Sequence, residues 1–293
     1  MPELPEVETI RRSLLRHLPG RRVEGVTFGD PKILKVPREH LAARITGSRF
    51  QDIGRRGKYL LFELDHDCLV IHLGMSGQLT LRDPRVQDSP GFLRHPVTQL
   101  QQARQHTPDR HTHLQLFLDD SRVLCLRDPR KFGKVLLLAP SEDALKEFFE
   151  PRLGLEPLAG EYRLEAFLQR LGQRKTPIKA LLLNQKVVAG IGNIYADEAL
   201  FEAGIHPRRR VHGLRRSEKV RLFHAVRTVL QKAVHFGGTT LRDYVDSDGR
   251  EGGFQEVLQV YGRAGEPCRR CGTPVVKEFL VQRGTHYCPT CQK

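Results

Sequence analysis

Four cysteines near the end of the 293-residue chain form two CxxC pairs, Cys268/Cys271 and Cys288/Cys291, with sixteen residues between them. Two intervening residues let one tight turn aim both sulfurs at a single ion, and Gly272 and Pro289 supply turn residues where each knuckle needs them. Four thiolates fill the shell of one Zn²⁺, so such a site is structural, and its binding energy folds a segment too small for its own core. Two disulfides are the competing use of these cysteines. The acidic opening lacks the look of an export signal, and a reducing compartment favours the metal. That opening, Met1-Pro2-Glu3-Leu4-Pro5-Glu6, offers a second chemistry. With Met1 removed, Pro2 becomes a secondary amine able to attack a sugar C1′ and form an iminium directly, with Glu3 beside it to carry protons. Glu6 lies a turn further along the same helix. The same residues also suit a plain helix start, because an early proline and acids in the first turn match the macrodipole.

Other segments are weaker alone. Gly190-Ile191-Gly192-Asn193 precedes an apolar-periodic stretch, so Asn193 is placed to cap a helix whose exposed N–H groups suit a phosphate. A tight turn between helices has the same appearance. His72-Leu73-Gly74-Met75-Ser76-Gly77 and Asp128-Pro129-Arg130-Lys131-Phe132-Gly133 also read locally as turns. Cys68 and Cys125 sit inside apolar runs and are expected as small buried hydrophobes.

Three regions must position these residues. The first, 1–140, opens with a helix on which Val7, Ile10, Leu14, Leu15 and Leu18 recur at helical spacing, ending at Pro19-Gly20. Strand-like segments follow at 59–64, 69–73, 113–118, 123–126 and 135–138, predicting a β-sandwich or barrel with a helix at its front. Residues 83–110, with four prolines and five glutamines, interrupt the pattern and are expected as a long surface loop. The second region, 141–258, is helical, with segments beginning near Ser141, Leu164, Ile178 and Ile194 and at Ser217 as N-cap. The third, 259–293, is the zinc module.

Lys and Arg number 48 against 34 Asp and Glu, a net charge of +14. A positive field of that size steers polyanions inward, so nucleic acid is the leading partner. The charge is concentrated at 208–232, where nine basic residues face Glu218 alone. No apolar run is long enough for a membrane span, and the chain is expected to remain in the cytoplasm.

Taken together, the Pro2-Glu3-Leu4-Pro5-Glu6-Val7-Glu8-Thr9 opening, Gly57-Lys58-Tyr59-Leu60, the 72–77 and 128–133 segments, Gly190-Ile191-Gly192-Asn193-Ile194-Tyr195, Val260-Tyr261-Gly262-Arg263 and the CxxC pairs resemble bacterial formamidopyrimidine-DNA glycosylase, the Fpg or MutM family. The motifs fall in the family order along the whole chain. The resemblance implies an α+β multidomain fold: an N-terminal β-sandwich with flanking helices, a helical helix-two-turn-helix domain and a C-terminal four-cysteine zinc finger. Double-stranded DNA would lie in the cleft between the lobes.

It also implies excision of oxidised purines, followed by β- and δ-elimination at the abasic sugar. Pro2 matches the Schiff-base nucleophile, Glu3 the general acid/base, Lys58 the proton-transfer lysine and Arg283 the δ-elimination arginine. Met75, Arg130 and Phe132 match the wedge that fills the vacated stack, and His111, Arg174 and Asn193 match further DNA contacts. Residues 246–254 correspond to the loop closing over the extruded base. One structural Zn²⁺, no small-molecule cofactor, no membrane and a monomer working at the nucleoid complete the expectation. Two alternatives remain: an oxidised-pyrimidine enzyme of the endonuclease VIII type, whose usual opening is Pro-Glu-Gly-Pro, and a damaged-DNA-binding protein that lost catalysis. The 83–110 loop is longer and the 208–216 cluster more basic than the family pattern.

Overall fold

Alternation of apolar and polar side chains builds the first half of the chain. In β6 (Thr112–Leu118), Leu114, Leu116 and Leu118 are buried while Phe117 is exposed, the period of two that a half-covered strand requires. A computed structural model describes residues 2–83, 108–241 and 244–293. Most of the loop expected at 83–110 lies outside those residues.

Among the described residues of this half, eight strands form two antiparallel sheets. One has the order β1 (Val23–Phe28), β6, β7 (Val123–Arg127), β5 (Gln78–Arg82). The other runs β2 (Phe50–Arg56), β3 (Tyr59–Leu64), β4 (Cys68–His72), β8 (Lys134–Leu138). A single core draws on Phe62, Leu69 and Ile71 of one sheet, Leu79, Leu116 and Leu126 of the other, and Val7, Ile10 and Leu14 of α1 (Leu4–Leu15). Leu41 and Ile45 of α2 (Arg38–Ile45) add to it, giving the expected sandwich with flanking helices. In β4, between β3 and β8, Cys68 and Val70 are buried as well as Leu69 and Ile71, so both faces of this strand are covered. Burial pushes the Cys68 thiol up to about 12 and that of Cys125 up to about 11, which makes both inert packing groups.

Among the described residues the remaining α-helices are α3 (Glu142–Phe149), α4 (Leu164–Leu171), α5 (Ile178–Leu183), α6 (Asn193–Ala203) and α7 (Arg216–His235). A hairpin of β9 (Val276–Leu280) and β10 (Arg283–Tyr287) follows. Two helix starts differ from expectation. The N-cap of α7 is Arg215, whose N–H is taken at 2.7 Å by the Glu218 carboxylate, so Ser217 lies inside the first turn. The N-cap of α6 is Gly192, and Asn193 is its first helical residue.

Two compact units result: Met1–Phe148 with Gly237–Gly253, and Phe149–Phe236 with Phe254–Lys293. The segment 237–253 thus groups with the sandwich rather than with the helices that precede it in sequence. Its partners explain why. The Thr239 N–H donates to Glu6 Oε1 at 2.8 Å, and the Leu81 N–H donates to the Ser247 carbonyl at 2.9 Å.

Candidate active site and metal centre

Pro2 and Glu3 are buried where α1 begins. Glu6, also buried, reaches back along the first turn to accept the Glu3 N–H at 2.7 Å. Its other oxygen takes the Thr239 N–H, so one carboxylate joins the start of α1 to the segment after α7. Gly238, at φ +82°, lies against this carboxylate. A Cβ there would come within 2.9 Å of Glu6 Oε1, so only glycine fits.

Lys58 is buried in the two-residue turn between β2 and β3. That hairpin is fixed to α1 through Glu8. Arg55 Nε bonds Glu8 Oε2 at 2.9 Å, while Arg55 Nη1 donates to the Gly57 carbonyl beside Lys58 at 3.0 Å. Burial alone raises the Glu8 carboxyl, but hydrogen bonds from Arg11, Arg12 and Arg55 overcome this and hold it at about 2. Across the sheet, burial first, and then the charges of Lys58 and Lys134, push His72 down to about 4. The ring is therefore neutral at pH 7, and its Nδ1 accepts the Gly74 N–H at 3.1 Å, shaping the turn that leads to Met75.

Met75, Arg130 and Phe132 are carried by two turns held together by one buried carboxylate. Asp128, fully buried, accepts Ser76 Oγ at 2.6 Å on Oδ1 and the Gly133 N–H at 2.7 Å on Oδ2. Gly74, at φ +63°, packs so closely that a Cβ would lie 2.5 Å from the Phe132 carbonyl carbon. The result is an exposed patch. Met75 is 45% and Phe132 47% accessible, and the Arg130 guanidinium lies 4.9 Å from the Phe132 ring centre. His111 is half-buried beside this turn, and its carbonyl accepts the Asp128 N–H at 2.8 Å. Residue type alone does not single out Ser76 and Asp128. The available signal is Asp128-Pro129, since an aspartate opening a turn readily satisfies the N–H groups that follow it.

In the second unit, Asn193 donates from Nδ2 to the Gly284 carbonyl at 2.8 Å rather than capping its helix. Arg283, exposed, begins β10 directly after a two-residue turn. Arg174 is exposed in the link between α4 and α5, its carbonyl accepting the His212 N–H at 3.1 Å. The four expected cysteine ligands converge, with all sulfurs within 4.8 Å of one another. The Cys268–Cys291 and Cys271–Cys288 sulfurs are 3.9 and 3.5 Å apart, far from a disulfide bond length of about 2.05 Å. They are close to the spacing of about 3.8 Å that tetrahedral Zn–S bonds of about 2.3 Å produce. The Arg270 and Cys291 N–H groups lie 3.4 Å from Cys268 and Cys288 Sγ, which suits thiolates. These residues fit one structural Zn²⁺.

Family comparison agrees along the chain. The models described as formamidopyrimidine-DNA glycosylase N-terminal domain, its H2TH domain and the zinc finger found in FPG and IleRS match residues 1–135, 153–245 and 265–293. The chain belongs to the formamidopyrimidine-DNA glycosylase family. Family members from Heliobacterium modesticaldum and Herpetosiphon aurantiacus are each 45% identical to it over 295 residues, covering 100% of both chains. A solved glycosylase of the family, Lactococcus lactis Fpg with abasic-site DNA, is 34% identical with a TM-score of 0.86 over 99% of each chain. A point mutant of that Fpg with Fapy-dG DNA gives 35% and 0.87 over 100% of each. Within the stretch expected to cover an extruded base, Ser247 and Asp248 are fastened to α1 and the residue after it, in their own unit. Ser247 Oγ meets Ser13 Oγ, and Arg16 Nη2 bonds Asp248 Oδ2 at 2.9 Å. Among the described residues no helix is long and apolar enough to cross a membrane.

Proposed function

We propose that this DNA glycosylase removes 8-oxoguanine and formamidopyrimidines from double-stranded DNA and then nicks the strand as an AP lyase, working in the cytoplasm on nucleoid DNA. The observation that carries the proposal is the buried Pro2-Glu3 pair, tied by Glu6 at the head of α1. An ordinary α-amine, with a pKa of about 7.7–8.0, keeps a minor but usable share of free base at physiological pH, so a terminal Pro2 is nucleophilic once Met1 is removed. Its nitrogen bonds to C1′ as the C1′–N9 bond breaks, and the departing base takes up a proton. Glu3 protonates the ring oxygen as the sugar opens to the iminium. Lys58 moves the C2′ proton as the C3′–O bond breaks, and Arg283 assists loss of the C5′ phosphate after a C4′ proton is removed. No small-molecule cofactor is needed, because the nucleophile and proton carriers are the chain's own groups.

The target base must leave the stack first, at a cost of a few kcal/mol. The exposed Met75, Arg130 and Phe132 patch has the apolar and cationic side chains that a wedge in the vacated space needs. His111, Arg174 and Asn193 add contacts to DNA in this proposal. A zinc ion on the four cysteines would brace the module that carries β9, β10 and Arg283, and the ion itself would supply no chemistry.

Borohydride trapping on an 8-oxoguanine·cytosine duplex tests the mechanism, with intact-mass analysis to verify removal of Met1. A covalent adduct is expected from the wild type and its loss from Pro2→Gly. An undiminished adduct from that variant would sink the proposal. Oxidised pyrimidines form a second candidate class, because Lactococcus lactis Fpg was also solved with DNA containing one, at 35% identity to this chain. Parallel assays on purine and pyrimidine lesions rank the two.

A further inference from the structure

Behind the strand that carries Arg283 lies an ion pair that none of the chemistry above uses. Lys179 Nζ of α5 is 2.7 Å from Asp197 Oδ1 of α6, and both side chains are 0% accessible. Burying two charges is expensive, and a well-packed apolar pair of similar volume often serves stability equally well. The pair supplies something an apolar pair lacks, namely directional bonds to β10. Lys179 Nζ donates to Thr285 Oγ1 at 2.8 Å and to the Gly284 carbonyl at 3.2 Å, where it joins Asn193. Thr285 Oγ1 in turn donates to the carbonyl of Arg283 itself at 3.2 Å. Asp197 Oδ2 accepts the His286 N–H at 2.9 Å. Four consecutive residues, Arg283 to His286, are therefore gripped from one buried point.

The other side of Arg283 is a turn at Val281 and Gln282, with φ of +53° and +55°. A β-branched residue rarely adopts that conformation, and it persists only where neighbouring structure imposes it. The side chain of Arg283 thus projects from between a strained turn and a clamped strand.

We infer that Lys179 and Asp197 are positioning residues for Arg283, a buried charged clamp that fixes the height of the hairpin tip from which Arg283 acts. The inference rests on the proposed role of Arg283 in δ-elimination. A misplacement of about 1 Å costs a catalytic group up to about a hundredfold, so loosening the clamp must show in that step.

The test uses the full-length zinc-loaded protein and an end-labelled duplex with one 8-oxoguanine, under single-turnover conditions. The variants are Lys179→Met/Asp197→Leu, which leaves no orphaned charge, Asp197→Asn, and Arg283→Ala as reference. Borohydride trapping at Pro2 is read beside the share of nicks that reach the δ product. The folded double variant is expected to trap within about twofold of wild type while its δ share falls about tenfold or more. Amide exchange over Val281–His286 should quicken in the same variant. Parallel loss of trapping and δ product, or unchanged exchange, overturns the clamp in favour of a purely structural pair. Should Arg283→Ala lose the δ product while the folded double variant keeps it, the positioning role alone falls. Should Arg283→Ala keep it, the assignment of Arg283 falls and takes the positioning role with it.

Discussion

His72 shows how much of this site depends on a side chain staying uncharged. Its pKa is pushed down to about 4 from an ordinary 6.5, by burial and by the neighbouring charges of Lys58 and Lys134. The unfolded chain therefore binds more protons than the folded one between pH 6.5 and about 4, and stability is lost as pH falls through that window. Thermal melts should show a drop on the order of 1–3 kcal/mol across it, reduced in His72→Gln. An equal drop in that variant would assign the acid sensitivity elsewhere. Glu8, held at about 2, has the same sign but a lower window, its contribution being complete above about 4.5 and lost toward about 2. Pro2, Glu3 and the four cysteines offered their candidate chemistry through type and spacing, whereas Lys58 and Arg283 stood out only through the family resemblance. Lys179, Asp197 and Asp128 were not legible. Their roles come from partners that tertiary structure brings together, such as Thr285, which is 106 residues from Lys179.

At the level of elements, periodicity served well. The strand at 59–64 matches its expected bounds, and the four other expected strands fall within a residue of theirs. Helix starts were less legible, because capping was assigned by residue type. At α6 the Asn193 side chain is committed to Gly284, and at α7 the Glu218 carboxylate reaches back to Arg215. The turns bearing Met75 and Phe132 depend on Asp128, which links Ser76 to Gly133. Asp128→Ala should lower stability by about 2–4 kcal/mol, by leaving those buried donors unsatisfied. It should also weaken binding to a lesion duplex more than binding to a nonspecific one. An equal effect on both would separate the turn from lesion recognition. The hairpin of β9 and β10 depends on the metal in a similar way. A chelator should remove about one zinc per chain and abolish DNA binding, while far-UV signals from the sandwich persist. Retained binding after metal loss would show that the hairpin folds unaided.

For the whole molecule, charge predicted a polyanionic partner better than it predicted where that partner touches. Five of the nine basic residues at 208–232 have internal tasks. Arg208 pairs with Glu278 at 2.8 Å and Arg209 with Glu218 at 3.1 Å. Lys219, Arg221 and Arg227 donate to backbone carbonyls of Gly172, Ala203, Pro157 and Ala159. Arg208→Ala/Arg209→Ala should therefore lower the melting temperature while leaving the salt slope of nonspecific binding nearly unchanged. Neutralising Arg210, Arg215 and Arg216 should flatten that slope by about one for each phosphate left without its cation. A slope that falls in the first variant and not in the second would invert this division. The discontinuity of the sandwich unit matters most during synthesis. Glu6 finds Thr239 across 233 residues of chain, and Ser13 meets Ser247 across 234. A ribosome must thus deliver residues 149–236 of the other unit before the first helix gains its last partners. Early in translation, α1 is exposed to solvent and proteases without its final brace, and contacts this distant are slow to form. The first turn of α1 is thereby completed only after residues 149–236 have been made, while residues 254–293 of that same second unit are still to come.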